Sequence, residues 1–145
     1  VRGRAMSLFG IFDVAGSALN AQSIRLNVVS SNLANADAVA TRPEDAYRAR
    51  NPVFQAAMQD AWAGADGQST VGVRVLGVWQ SPAPPVKRHE PGHPLAGPDG
   101  YVYASNVNAV QEMANMISAS RSFQANVEVM NTSRDLLMKT LSMGR

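Results

Sequence analysis

At 145 residues, the chain has the length of one domain and can bury a modest core. Its 13 basic and 11 acidic residues are interspersed, for a net charge of +2, which excludes the clustered basic face of a nucleic-acid binder. The absence of cysteine excludes a disulfide framework, thiolate metal sites and a cysteine nucleophile.

The opening stretch, VRGRAMSLFGIFDVAG, sets basic residues ahead of an apolar run. Gly10 and Asp13 break that run and no small-residue cleavage site follows, so it does not read as a signal peptide. Residues 1–5, ahead of Met6, read as an upstream extension. No apolar run reaches the roughly 18 residues that span a bilayer, so no direct membrane insertion is expected.

The first structured element is predicted over 6–36. Steps of four and three from Leu8 pass through Phe12, Ala15, Leu19, Gln22, Leu26, Val29, Leu33 and Ala36, and only Gln22 interrupts the apolar seam. Ser7 is a candidate N-cap, while Gly10 and Gly16 weaken the helix by up to ~1 kcal/mol each. Short side chains flank the seam, among them Ser17, Ala18, Ala21, Ser23, Ser30 and Ser31. Small residues let neighbouring backbones approach, and amides beside a seam can fix register. Asn32 and Asn35 stand where the helix should stop, and Asn tolerates the left-handed conformation that turns a chain.

The middle, 37–106, has a different chemistry. STVGVRVLGVWQS, residues 69–81, alternates as a strand does, and GYVYA after Pro98-Asp99-Gly100 makes another short one. The six prolines between Ser81 and Asn108 indicate loops. His89 and His93 are four apart, but Pro91, Gly92 and Pro94 forbid the helix that would join them at a metal, so both read as solvated loop residues. Glu44-Asp45 reads as solvated, and GADG lacks the strand, helix and lysine of a phosphate loop. No serine-nucleophile elbow is present. No catalytic, cofactor or metal residue is nominated, and the chain is not expected to be an enzyme.

The last element is predicted over 107–143. Its seam runs from Ala109 through Met113, Met116, Ser120, Phe123, Val127, Met130, Arg134, Leu137 and Leu141, with Asn106 or Asn108 as cap and Gly144 at the end. The expected fold is therefore mainly α with a small β-rich insertion: two long terminal helices in an antiparallel coiled-coil-like hairpin, with a short β excursion between them. Two helices cover only one facing seam, so a lateral array of hairpins would bury the remainder and satisfy the amides.

With these segments in place, SALNAQSIRLNVVSSNLANADA resembles the N-terminal signature of the flagellar rod and hook axial protein family. EPGHPLAGPDGYVYASNVNAVQEMANMISASRSFQANVEVMNTSRDLLMKTLSMG resembles the C-terminal half of the proximal-rod type, and the short middle fits it as well. VATRPEDAYRAR departs from the more Gly-rich loop usual after the first helix. The resemblance implies a structural subunit of the bacterial flagellar basal body, in the periplasmic rod. It implies export by the flagellar type III apparatus without a cleaved signal peptide, and helical stacking with copies of itself and other rod proteins. It also implies terminal helices that order only on assembly.

The expected subunit interface combines seam and motif. Leu8, Phe12, Leu19, Leu26, Val29 and Leu33 come from the first seam, and Met113, Phe123, Val127, Met130, Leu137 and Leu141 from the second. The resemblance adds Asn32 and Asn35 from the Ser31–Asn35 motif, and Arg121, Gln124, Asn126 and Asn131 from the Arg121–Asn131 motif. Two other readings stay open: a short rod component at another axial position, and a non-flagellar helical module that binds a partner helix or a membrane surface.

Overall fold

The computed structural model of the chain describes residues 8–59 and 70–143. Its elements run α1 (Leu8–Ala34), β1 (Val39–Ala40), β2 (Arg50–Gln59), β3 (Thr70–Gln80), β4 (Val86–His89), β5 (Tyr101–Ala104) and α2 (Ala109–Met143). Along the sequence, two helices of 27 and 35 residues thus flank a small β region, in line with the apolar periodicities. No helix among the described residues is long and apolar enough to cross a membrane. Ser7, Gly144 and the GADG stretch lie outside the described residues.

The ends of the helices are made by side chains as well as by backbone. Asn108 caps α2, its Oδ1 accepting from the Gln111 amide at 3.1 Å, which resolves the choice between Asn106 and Asn108. Asn106 instead braces the loops: its Oδ1 accepts from Ala49 N at 2.7 Å, and its Nδ2 donates to Ala83 O at 2.9 Å. At the other helix, Asn35 Nδ2 donates to Ser31 O at 2.8 Å and closes the last turn of α1. No described residue other than glycine has positive φ, so Asn35 ends the helix without the left-handed conformation expected of it.

The chain divides into two compact units, each drawn from separate stretches of sequence. One is formed within 25–53 and 77–118. Its three-stranded antiparallel sheet has the order β1-β5-β4, with Val39 opposite Ala104 on one side and His89 opposite Tyr101 on the other. The central strand β5 alternates as its sequence does: Val102 and Ala104 are buried, while Tyr101 and Tyr103 are half-buried. Lys87 Nζ lies 4.0 Å from the centre of the Tyr101 ring, and the His89 ring is 4.8 Å from it. The β4–β5 connection closes through Glu90 N to Gly100 O at 3.0 Å and Gly100 N to Gly97 O at 2.9 Å. Gly100 has φ of +72°, as the Pro-Asp-Gly signal demands.

The other unit is formed within 1–24, 54–76 and 119–145. Here Ser17 Oγ donates to Val14 O at 2.8 Å and accepts from Val73 N at 3.0 Å, which pins β3 to α1. Strands β2 and β3 pair with each other in a separate two-stranded sheet. Among the described residues the buried apolar ones are small: Ala15, Ala21 and Ala119 in this unit, and Val28, Val29, Ala46, Val102 and Ala104 in the other. At about 25 cal/mol per Å² of buried apolar surface, each of these residues gains less than a buried Leu or Phe would.

Candidate functional site

The histidines and carboxylates singled out by sequence form no reactive group. His89 is on strand β4 and exposed, not in a loop as its prolines suggested, because β4 pairs with β5 along its whole length. His93 is half-buried and its Nδ1 accepts from Leu95 N at 3.1 Å, a local turn. Glu44 and Asp45 are exposed and both pair with Arg42, the latter at 2.7 Å. No group of three or more potential metal ligands occurs among the described residues.

The helices carry the notable surfaces. On α2 the buried side chains are Glu112, Ala119 and Ser133, each one residue before a position of the seam at 113, 120 and 134. The seam is therefore not the line that the chain buries. Met113, Val127 and Leu141 are 56%, 36% and 63% exposed, and Phe123, Met130 and Leu137 are half-buried. Off the seam, Val110, Ile117, Leu136 and Met138 are each more than half exposed. Two of these three, Ala119 and Ser133, are small, and small side chains let neighbouring backbone come close. Arg121, Gln124 and Asn131 are exposed, and Asn126 is half-buried.

On α1 the same displacement recurs. Ala21, Val28 and Asn32 are buried ahead of seam positions 22, 29 and 33, although Ala15 and Val29 lie on the seam and are buried too. Phe12, Leu19, Leu26, Leu33 and Asn35 are half-buried, and Leu8 begins the helix. Gln22, the polar member of the seam, has its amide oxygen buried without a partner. Ile11 of α1 and Ala125, Glu128, Val129, Thr132 and Ser133 of α2 line an open groove of ≈ 420 Å³.

The Asn32 side chain is fully buried, and its amide is engaged within the chain. Nδ2 donates to Arg50 O at 2.8 Å and to Glu112 Oε2 at 2.9 Å. Oδ1 accepts from Arg50 N at 2.9 Å and from the Tyr47 hydroxyl at 3.0 Å. Sequence reasoning missed Tyr47, Arg50 and Glu112. Only the Asn at the end of an apolar run signalled them, and nothing local tells which distant groups it will meet.

Comparison with known proteins bears directly on these helices. A family model described as flagella basal body rod protein matches residues 12–40, which include most of α1 and its Asn motif. A second, described as flagellar basal body rod FlgEFG protein C-terminal, matches residues 99–143, which include α2. The flagellar basal-body rod protein FlgC of Yersinia enterocolitica is 54% identical over 140 residues, covering 97% of this chain and all of the relative. The chain belongs to the FlgC family of flagellar basal-body rod proteins. The FlgC of Salmonella typhimurium is likewise 54% identical with the same coverage, and that of Buchnera aphidicola from Acyrthosiphon pisum is 40% identical over 137 residues. Identity to FlgC proteins thus runs through the β region between the two matched helices, not through the helices alone.

Proposed function

We propose that this chain is a structural subunit of the proximal rod of the bacterial flagellar basal body, acting by packing and not by catalysis. In this reading, segments 6–36 and 107–143 form the rod-building helices and 37–106 an outward-facing segment that touches adjacent subunits. The helices pair as an antiparallel coiled-coil-like hairpin. Support comes from each unit by itself, since both helices contribute to it: Ile11 and Val129 line one groove in one unit, and Asn32 bonds to Glu112 in the other. Copies of the chain and other rod proteins then pack laterally against the outer faces. The chain reaches the periplasm through the flagellar type III export apparatus, without a cleaved signal peptide. A shaft of close-packed helices resists twist because packed interiors deform little.

The observation that carries this reading is the exposed apolar surface of α2. Met113, Ile117, Met138 and Leu141 are each more than half exposed on one helix. Covering such a side chain is worth ~1.5–3 kcal/mol, a gain the lone chain forgoes and an array recovers. Met113→Asp and Leu141→Asp disturb nothing buried within the chain. Each is expected to leave export intact while abolishing rod assembly and swimming; normal motility in both variants would refute the reading.

A further inference from the structure

Five of the chain's seven methionines lie on α2, and the chain has no cysteine. Thioether sulfurs are therefore its most readily oxidised groups, with no thiol to compete for an oxidant. Met116 and Met130 are half-buried, whereas Met113 and Met138 are each more than half exposed. Both stand in apolar clusters made by helical spacing. Val110 and Ile117 lie three and four residues from Met113, and Leu141 lies three from Met138, so each cluster shares a face of the helix. Every one of these side chains is more than half exposed. Methionine suits a face that must fit neighbours, because its unbranched thioether adapts to irregular surfaces. It also carries a liability that leucine would not.

That liability is two-electron oxidation by a peroxide. A sulfur lone pair attacks one oxygen of hydrogen peroxide, and an S–O bond forms as the O–O bond breaks. The second oxygen leaves as hydroxide, takes the proton of the transferred oxygen and departs as water. Sulfur has given up two electrons and the peroxide has gained them. The sulfoxide is polar and accepts hydrogen bonds. Burying it against an apolar neighbour strips water from its oxygen and supplies no donor in return.

We propose that Met113 and Met138 are oxidation sites that make the packing of α2 redox-sensitive. A peroxide converts them to sulfoxides while the face is uncovered, and a chain so modified stays out of the array until the sulfoxides are reduced. Neighbours that cover the face shield the thioethers, so assembled chains resist. An α2 segment not yet folded presents the same sulfurs to water, so the liability does not depend on when the helix orders. The inference rests on the rod reading, in which these clusters meet adjacent subunits.

The test is to count basal bodies built under sublethal hydrogen peroxide, in a strain whose only copy of the chain is induced at the start. The wild-type chain is expected to build at least about fivefold fewer than without peroxide, as a polar group at a packing face requires. Mass spectrometry is expected to find sulfoxide at 113 and 138 at least about tenfold more often in unassembled chains than in basal bodies. The double variant Met113→Leu/Met138→Leu keeps the apolar volume and is expected to lose no more than about twofold under peroxide. Met113→Gln/Met138→Gln, polar at both positions, is expected to lose rods without any peroxide. A leucine variant as sensitive as wild type, equal sulfoxide in the two pools, or a normally swimming glutamine variant would each overturn the proposal. Motile Met113→Asp and Leu141→Asp strains would defeat the rod reading itself. A peroxide-sensitive leucine variant alongside non-motile Asp variants would defeat this inference alone.

Discussion

Two residues show how local chemistry fixes the chain's turning points. Gly100 is the one described residue with positive φ, and a Cβ there would sit 3.2 Å from Pro91 Cβ and 3.3 Å from His89 Nε2. Gly100→Ala therefore meets both a disfavoured backbone region and two close neighbours. It is expected to destabilise the β4–β5 hairpin by about 1–2 kcal/mol, read as a lower urea midpoint with unchanged slope. The turn was legible because Pro-Asp-Gly encodes its own geometry within three residues. Asn32 was legible only as a helix-end residue, and its true surroundings were not. A hydrogen bond across 80 residues of sequence, such as Asn32 to Glu112, leaves no trace in any local window.

Among the elements, both helices and the strands β3 and β5 follow from periodicity, since one partly covered face imposes a repeat on the sequence. The missed strands lack that imposition. RNPVFQAAMQ carries Pro52 and no alternation, and Val53 and Phe54 are both exposed although they are consecutive. β4, VKRH, is exposed at every position, so its pairing with β5 was hidden in a proline-rich run. β1 is two residues long, below any pattern. Which side chains the lone chain buries was not legible from periodicity, which marks large apolar residues: Ala21, Asn32, Glu112, Ala119 and Ser133 are buried off the seams. The cap of α2 gives a test at this scale. Asn108→Ala removes the acceptor for Gln111 N and is expected to cost about 1 kcal/mol, with faster exchange confined to the first turn of the helix.

The molecule has a polar network around Asn32 that is satisfied within the chain and large apolar side chains on α2 that are open to water. Monomeric proteins rarely leave many large apolar side chains grouped in water; α2 buries Glu112, Ala119 and Ser133 while Leu136, Met138 and Leu141 face water. Such a surface is intelligible for a member of a rod-protein family, whose working state is an array. The absence of native cysteine makes the central claim directly measurable. A single Leu141→Cys variant, reacted with a maleimide, reports whether this face is covered. The expected result is rapid labelling of the purified chain and labelling slowed at least about tenfold in isolated basal bodies, as burial of a thiol requires. Equal labelling in the two states would contradict the account.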